Sequence, residues 1–481
     1  MRKKAEIIHN ASLEILETTG LRLHHPQALK LCTNNGFKID GNRVFFEPKK
    51  LMDHISQAPS SFTLHARNPE FNMQLGSGKV NFAPGYGAPA IVKASGRVRN
   101  AVFKDYKHFL AIMQASQYFD INGGIAVQPS DLPPEKAMPM MVCATMTASD
   151  KCLLAPNGDK HGTDVMFALL EALFGIEDLL QKPRVITLIS TLSPLQIDEA
   201  ALNTLLTYAE YNQPVMVTPT VMAGTTGPIT LAGTMALANA EALAGIALVQ
   251  MARPGCPVMY GCQNTCADMK TGGISIGSPE RVLCVAMGSE MARMYDLPFR
   301  GGGSDTDAHG FNAQAGMEGM MTLMNSWQSG TDLIVHSAGI LAGYAGMSYE
   351  KFILDLEMIG MLRRIENGIG VSRDDLALDV IAAAGIGGQF LTQQHTFQKC
   401  RKELYSPRIC KRGQLGDSDH QAELLASIET EKNRLLASYE QPLLTKEKMI
   451  VLRRIMVENE LDFNACLQDS TVQNIILNKP K

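Results

Sequence analysis

Residues 185–221, VITLISTLSPLQIDEAALNTLLTYAEYNQPVMVTPTV, contain the pattern that most clearly indicates the fold class. The apolar run 185–191 is rich in β-branched residues and predicts a buried strand. Asp198 can cap a following helix. Apolar residues then recur three and four positions apart, as on one face of a helix: Leu202, Leu205, Leu206 and Ala209. A second buried strand is predicted at 215–221, so the stretch is a strand–helix–strand unit.

The same alternation extends in both directions from this unit. Eight apolar, strand-like runs occur, and a helical pattern follows each: 80–83, 120–127, 152–155, 185–191, 215–221, 258–260, 298–300 and 333–335. Strands that alternate with helices indicate a parallel sheet covered by helices. Eight such units predict an α/β protein with a (β/α)8 TIM barrel, and a doubly wound open sheet is the alternative.

The segments on either side of the alternating region differ from it in their sequence pattern. A chain of 481 residues is long enough for a large barrel with additions at both ends. Helical patterns dominate both flanks. We therefore expect a helical N-terminal extension at 1–78, the barrel at 79–365, and a helical C-terminal extension at 366–481.

Composition restricts the class of function and the compartment. The net charge is −4, without the basic surplus of a nucleic-acid binder. Ten cysteines with no CxxC pair predict free thiols in a reducing cytoplasm. The most apolar stretch, 231–251, contains Asn239, Glu241 and Gln250, which favours a buried helix over a membrane span. The N-terminus lacks the apolar core of a signal peptide.

In a barrel, chemistry occurs at the carboxyl ends of the strands. Here those ends are rich in Gly, hydroxyl and amide residues. The seventh strand is followed by GGGSDTDAH at 301–309, and the eighth by HSAG at 336–339. A hydrolase would need a carboxylate pair or an activated nucleophile. Neutral hydrogen-bonding groups instead suit a reaction whose reactive species comes from a cofactor.

Several of these stretches together resemble the trimethylamine methyltransferase family. The likeness runs in order through most of the chain, in PGYGAP at 84–89, TPT at 218–220 through GP at 227–228, 301–318, HSAG at 336–339, and GGQFLT at 387–392 with HT at 395–396. One departure occurs. The family pattern Ser/Thr-Asp-Ser-Lys is Ser304-Asp305-Thr306-Asp307 here, followed by NAQAGME at 312–318.

The resemblance implies a barrel that passes a methyl group from an amine to the cobalt of a separate corrinoid protein. Archaeal trimethylamine enzymes of the family carry pyrrolysine, whereas this sequence shows only standard residues. It therefore resembles the non-pyrrolysine branch, whose substrates are quaternary amines such as glycine betaine, proline betaine, carnitine and γ-butyrobetaine. The expected partners are the amine and a cognate corrinoid protein, with no corrinoid bound tightly by this chain. The motif DAHGFN at 307–312 lacks the last glycine of the corrinoid-binding signature DxHxxG.

The chemistry of a quaternary amine agrees with these strand ends. The leaving group is a neutral tertiary amine and the nucleophile is Co(I), so neither a general acid nor a general base is needed. The remaining tasks are to hold the cation against aromatic rings or a carboxylate, and to bind any substrate carboxylate. We predict catalytic roles for Asp305, Asp307 and His336. The predicted substrate-binding residues are Tyr86, Thr218, Thr220, Gln263, Asn264, Arg300 and Tyr344, and further aromatic candidates are Tyr260, Phe299 and Trp327. No metal site is expected.

Other interpretations remain open at this point. A betaine-type solute-binding protein without catalysis would have similar strand ends. A zinc-dependent corrinoid methyltransferase could use Cys256, Cys262 and Cys266 with His309 or His336. His336 could instead be a core residue, and Asp305 and Asp307 could simply cap the helix that starts near 312. We also expect a homo-oligomer that binds neither nucleic acid nor membranes.

Overall fold

The computed structural model describes residues 1–413, 416 and 418–468. The last part of the predicted C-terminal extension, 469–481, lies outside the described residues. The eight predicted strands all form one parallel sheet, which confirms the (β/α)8 prediction. In chain order they are Asn81–Phe82, Ile121–Gly123, Cys152–Ala155, Val185–Ile189, Val215–Val217, Val258–Gly261, Phe299–Gly301 and Leu333–Ile334.

Hydrogen-bonded neighbours follow chain order from the second strand to the eighth, and the eighth pairs with the first. The last pairing places Leu333 opposite Asn81 and Ile334 opposite Phe82. The first and second strands are therefore the two ends of the hydrogen-bonded order. The sheet curves into a nearly closed barrel, and all eight carboxyl ends meet at one mouth.

A long helix follows each strand. The eight are Phe103–Ala115, Pro134–Ala148, Lys160–Phe174, Glu199–Glu210, Leu231–Ala252, Pro279–Met294, Ala313–Gln328 and Tyr349–Glu366, and the short helix Ile176–Gln181 extends the third unit. The predicted cap is present, since Asp198 accepts from the backbone N–H of Ala201 at 2.8 Å. Ser278 caps Pro279–Met294 in the same way, through the backbone N–H of Arg281. Leu231–Ala252 is long and apolar enough to cross a membrane, but it is mostly buried against the barrel.

Two apolar layers arise from the alternation of side chains along each strand. Met216 and Met259 point into the barrel, where they join residues such as Ile121, Leu154 and Leu188. Their strand neighbours point outward into the layer between sheet and helices; Val215, Val217, Val258 and Tyr260 are examples. The period of two along a strand explains this division.

The N-terminal segment combines helices with short strands. Its helices are Arg2–Glu14, which continues as Ile15–Thr19, then Pro26–Asn34, Pro48–Ile55 and Pro69–Phe71. Leu21–Leu23, Lys38–Asp40 and Arg43–Phe45 form a sheet with Gln196–Ile197. The hairpin Phe62–Leu64 and Met73–Leu75 places its apolar side chains among the barrel interior residues. Because Gly76 N–H donates to Asp332 beside the start of the eighth strand, this hairpin closes the end opposite the mouth.

Further strands surround the mouth in the loops that follow the first, fifth, sixth and eighth barrel strands. The sequence patterns did not predict them. One sheet contains Ala90–Val92, Val98–Asn100, Ile340–Leu341 and Gly346–Met347, and another contains Met222–Ala223, Thr265–Ala267 and Ile274–Ser275. They hold the mouth loops in fixed positions above the strand ends.

The C-terminal segment has two parts. His420–Ser438, Lys446–Glu458 and Phe463–Cys466 pack on the barrel helices through buried residues such as Ile428, Leu435, Leu452 and Met456. Before them, the helices Arg373–Leu376, Leu378–Ala384 and Gln394–Glu403 contain no buried residue.

Candidate active site

The mouth of the barrel contains a buried arginine with unused hydrogen-bonding capacity. Arg300, in the seventh strand, is 0% exposed. Its Nη1 donates to Gln263 Oε1, and the Gln263 amide donates to the Tyr344 hydroxyl. Its Nε and Nη2 have no hydrogen-bond partner among the described residues. Burial, followed by the nearby Arg281 charge, lowers the pKa of Arg300 to about 10, so the guanidinium stays charged at neutral pH.

His336 lies beside this arginine, between two tyrosines. It follows the eighth strand with a φ of 64°, a conformation that costs a non-glycine residue energy and is typical of functional positions. Its Nδ1 accepts from the Tyr86 backbone N–H at 3.2 Å. Its ring centroid lies 6.4 Å from that of Tyr86 and 4.7 Å from that of Tyr344. The three rings form one aromatic wall of the mouth.

The electrostatic surroundings keep this wall uncharged. Burial, then the Arg300 and Arg281 charges, hold the pKa of His336 well below 6.5, so the imidazole is neutral near neutral pH. Burial raises the pKa of the Tyr86 and Tyr344 phenols, which therefore remain protonated. Neutral aromatic rings attract a quaternary ammonium group, whereas an imidazolium would repel it.

The lowered pKa of His336 has a measurable consequence for stability. Below pH about 6.5, unfolded His336 binds a proton that the folded side chain does not. The free energy of unfolding therefore decreases as the pH is lowered. We expect His336→Gln to lose this contribution and show a shallower decline of thermal midpoint between about pH 7 and about pH 5. The exposed His161→Gln is the control and should keep the wild-type slope. Equal slopes in all three proteins would contradict the assignment.

A buried ion pair between Arg281 and Asp305 lies close to Arg300 and His336. Arg281 Nε and Nη2 donate to Asp305 Oδ2 at 3.2 and 3.1 Å, and both side chains are at most 1% exposed. Arg281 also donates to the Asn264 carbonyl at 3.2 Å. Burial raises the pKa of Asp305, against the opposing effect of Arg281 and Arg300. Sequence reasoning predicted Asp305 but missed Arg281, which lies on a helix rather than after a strand.

Asp307 has a different role from Asp305. Its carboxylate accepts from the Ser275 hydroxyl at 3.0 Å and from the backbone N–H groups of Ile276 and Gly277 at 2.8 and 3.0 Å. It therefore ties the loop after the seventh strand to the loop after the sixth. The alternative in which these aspartates cap the next helix is wrong, because Asn312 accepts from Ala315 N–H and caps it.

A second buried ion pair fixes the loops after the seventh and eighth strands. Lys351 Nζ lies 2.6 and 2.8 Å from the two oxygens of Asp355, and both side chains are 0% exposed. The Ser304 hydroxyl donates to Asp355 at 2.8 Å, and Gly339 N–H donates to it at 2.8 Å. The only sign of this pair in the sequence is its spacing of four residues on one helix.

The three glycines 301–303 allow close approach rather than unusual backbone angles. A Cβ added at Gly302 would lie 2.0 Å from Arg281 Nη2. One added at Gly303 would lie 2.5 Å from the His336 carbonyl carbon and oxygen. The ends of the seventh and eighth strands can therefore meet only where no side chain intervenes.

This close approach predicts a strong effect for Gly303→Ala. Because the obstructing atoms are backbone, the two strand ends must separate, at a cost of about 1–3 kcal/mol in the free energy of unfolding. Catalytic efficiency should fall as His336 moves. The matched control is Gly310→Ala in the same loop, where no atom lies within 4 Å of the new Cβ. Urea denaturation and steady-state kinetics provide the measurements, and wild-type behaviour of Gly303→Ala would count against the packing argument.

The remaining predicted residues divide between the mouth and the packed core. Thr218 is buried, and its hydroxyl donates to Met216 O at 3.3 Å. Thr220 is half-buried. Asn264 is committed to the scaffold, since its Oδ1 accepts from Val221 N–H at 3.0 Å. Tyr260 donates to Asn239 at 2.9 Å in the outer layer. Phe299 and Trp327 also pack in that layer, so the aromatic wall is limited to Tyr86, His336 and Tyr344.

The three cysteines considered for zinc lie in separate environments. Cys256 Sγ faces the Gln213 carbonyl at 3.7 Å, and Cys262 Sγ faces the Cys284 carbonyl at 3.4 Å. Cys266 Sγ lies 3.6 Å from Ser278 Oγ. Within the described part of the chain, no group of three or more His, Cys, Asp or Glu is arranged to hold a metal ion. All ten cysteines are free thiols.

Comparison with known proteins defines the class. The family model described as "Trimethylamine methyltransferase (MTTB)" matches residues 2–459, so the chain belongs to this family, as the sequence motifs indicated. A solved structure, the monomethylamine methyltransferase of Methanosarcina barkeri, aligns with a TM-score of 0.50 over 95% of this chain and 86% of that one. At 12% identity this likeness concerns the fold alone.

Among curated relatives, the chain is similar to two that act on betaines. The glycine betaine methyltransferase of Desulfitobacterium hafniense is 39% identical over 92% of both chains. The proline betaine:corrinoid methyltransferase of Eubacterium limosum is 29% identical over 95% of this chain and 97% of that one. A trimethylamine methyltransferase from Methanosarcina barkeri is 31% identical over 81% of this chain and 80% of the other.

Proposed function

We propose that this protein transfers a methyl group from a carboxylate-bearing quaternary amine, glycine betaine in the first place, to the Co(I) of a separate corrinoid protein. Membership of the trimethylamine methyltransferase family supports the reaction class. Arg300 is the observation that carries the substrate class. The three-ring wall, Tyr86, His336 and Tyr344, supports the quaternary ammonium group.

Arg300 is suited to bind the carboxylate. Its Nε and Nη2 are the two neighbouring donors that a carboxylate can engage together, and both lack partners among the described residues. A buried charged donor without a partner is costly, so such a group is expected to meet a ligand. With Arg281 and Arg300 positive and Asp305 negative, this innermost cluster has one surplus positive charge. The carboxylate of a zwitterion neutralises that surplus.

The aromatic wall is suited to bind the other end of the substrate. A trimethylammonium group donates no N–H hydrogen bond, so it is recognised by ring faces and by exclusion of water. Tyr86 and Tyr344 present rings on either side of neutral His336. In this proposal His336 is a positioning and cation-binding residue, because the reaction requires no proton transfer.

The chemical step is a nucleophilic substitution at a methyl carbon. Co(I) donates an electron pair to that carbon, and a Co–C bond forms as the C–N bond breaks. The electron pair of the C–N bond stays on nitrogen, which leaves as the neutral amine of dimethylglycine, while cobalt becomes methyl-Co(III). The protein contributes by holding N, CH3 and Co in line and by excluding water.

The corrinoid protein must present its cobalt at the mouth, because the N-terminal hairpin fills the opposite end of the barrel. We propose that the corrinoid stays with that partner and is not bound tightly by this chain. The choice of glycine betaine among the quaternary amines is supported by the 39% identical glycine betaine methyltransferase. A cytoplasmic location remains a prediction, and the free thiols are compatible with it.

A substrate panel tests the proposal. The purified protein is mixed anaerobically with a reduced corrinoid protein or with cob(I)alamin. Glycine betaine, proline betaine, carnitine, γ-butyrobetaine, choline and trimethylamine are then added one at a time. We expect absorbance changes of methyl-Co(III) formation with glycine betaine, and weak or no change with choline and trimethylamine. Tight binding of a betaine without methyl transfer would favour a solute-binding protein. Preference for trimethylamine would overturn the substrate class.

A further inference from the structure

A cavity of about 800 Å³ opens at the mouth beside the aromatic wall, and the proposed substrate contacts do not use it. It is lined by the loops after the first, second and third barrel strands. Ile125 belongs to its lining, and a Cβ added at the preceding Gly124 would lie 3.0 Å from the Tyr86 ring. The cavity and the proposed ammonium site are therefore neighbours that share Tyr86.

Hydrogen bonds between the loops hold the shape of this cavity. The Gln128 N–H donates to Ala88 O at 2.9 Å, and the Ser130 N–H donates to Ala101 O at 2.9 Å. Both bonds join the loop after the second strand to the loop after the first. These two strands are the ends of the hydrogen-bonded order, so the loops connect what the sheet itself leaves unpaired. The cavity is thus a built part of the mouth.

The lining combines a buried apolar floor with exposed amide side chains. Met138 and Met141 are buried in the floor. The exposed amides are those of Asn100, Gln128 and Asn157. None of these three side chains hydrogen-bonds to another residue in the described part of the chain. Three amides around one cavity are therefore free to donate to a ligand and to accept from it.

The charges of the lining restrict the class of ligand. The lining contains two carboxylates, Glu135 and Asp159, and no Lys, Arg or His. Asp159 accepts from the Gly162 N–H at 2.8 Å and caps the following helix. An anion would meet like charges here and no cation. A quaternary ammonium group would find no aromatic ring, since the lining has none. The cavity instead fits a neutral, partly apolar ligand that carries amides.

We propose that this cavity receives the amide-bearing edge of the corrin ring when the corrinoid protein docks, an inference that rests on the proposed methyl transfer. The periphery of a corrin is apolar and carries acetamide and propionamide groups. Asn100, Gln128 and Asn157 can pair with such groups in both directions. Because cobalt lies at the centre of the macrocycle, the corrin edge extends past the methyl group and over the surrounding loops. An edge seated in this cavity fixes the position of cobalt relative to Tyr86 and the ammonium group.

The test uses a free corrinoid, so that the partner polypeptide is absent. Wild type and the double variant Gln128→Met, Asn157→Leu are assayed anaerobically with cob(I)inamide and the quaternary amine that the substrate panel identifies. The matched control is Gln27→Met, Asn34→Leu, which changes two exposed amides on the helix Pro26–Asn34. We expect the KM for cob(I)inamide to rise at least about 5-fold in the cavity variant, the effect of two lost hydrogen bonds of modest strength. The KM for the amine should not change, and the control should match the wild type.

Binding without turnover provides an independent measurement. Titration calorimetry with oxidised cobinamide, which accepts no methyl group, should show the same weakening in the cavity variant and none in the control. Weakened cobinamide binding in the variant would support the cavity even if the wild type methylated no corrinoid. That combination would overturn the proposed methyl transfer alone.

Three outcomes would overturn the cavity proposal. One is wild-type affinity for free cobinamide in the cavity variant. Another is a raised KM for the corrinoid protein with an unchanged KM for free cobinamide, because the cavity would then bind the polypeptide of the partner. The third is an equal loss of cobinamide affinity in the control variant.

Discussion

Arg300→Met is expected to reduce kcat/KM for glycine betaine by at least about 30-fold, because it removes the proposed carboxylate donor. Loss of one partner from a buried, hydrogen-bonded charge pair costs about 2–5 kcal/mol. With a tenfold change per 1.4 kcal/mol, this cost corresponds to roughly 30- to 4,000-fold. The defect should appear mainly in binding, since the carboxylate is remote from the bond that breaks.

Two comparisons separate this role from a general disturbance of the site. Choline has the same trimethylammonium group but no carboxylate, so its low rate should not fall further in Arg300→Met. The substrate preference should therefore shrink rather than all rates falling together. Arg293→Met on the adjacent helix Pro279–Met294 changes a 58% exposed side chain and should behave as the wild type. Undiminished glycine betaine kinetics in Arg300→Met would reject the carboxylate assignment.

Lys351→Met is expected to lower the free energy of unfolding by about 3–5 kcal/mol. The substitution leaves Asp355 as a buried charge without its cationic partner, and an uncompensated buried charge strongly destabilises the folded state. Activity should fall as well, because Asp355 positions Ser304 and Gly339 on either side of the mouth. Urea denaturation followed by circular dichroism measures the loss of stability.

The control for this prediction is an exposed pair with the same spacing. Lys160 lies 2.7 Å from Asp164, and these side chains are 69% and 52% exposed. Exposed pairs contribute little, so Lys160→Met should change the free energy of unfolding by less than about 0.5 kcal/mol. Similar losses of unfolding free energy in both variants would mean that burial does not determine how much an ion pair contributes. An unchanged Lys351→Met would remove the role given to the buried pair.

The barrel could be predicted because its strands and helices have strong local patterns. The run at 185–191 is apolar and β-branched, and Asp198 caps the helix that follows, so each unit is visible within about 35 residues. The short strands around the mouth were missed because they consist of two or three residues, as in Ile340–Leu341 and Gly346–Met347. Their pairing depends on contacts between loops far apart in sequence, which no local period reveals.

The site could be predicted only in part, for the same reason. Arg300 lies near the carboxyl end of the seventh strand and His336 follows the eighth, so their place at the mouth follows from the fold class alone. The fold class does not reveal which hydrogen-bonding groups at the mouth stay unpaired. Asp305 and Asp307 look alike in sequence, yet one pairs with buried Arg281 and the other binds the loop 275–277. Arg281 comes from the side of a helix, so a list of strand ends could not contain it.

The proposed methyl transfer is tested by following the methyl group itself. The wild-type protein is mixed anaerobically with excess cob(I)alamin-loaded corrinoid protein and glycine betaine whose N-methyl groups carry deuterium. Both products are then quantified by mass spectrometry. We expect one trideuteromethyl-Co(III) for each dimethylglycine formed, in parallel through the time course. Dimethylglycine without methylated cobalt, or no demethylation despite bound glycine betaine, would contradict methyl transfer to the corrinoid.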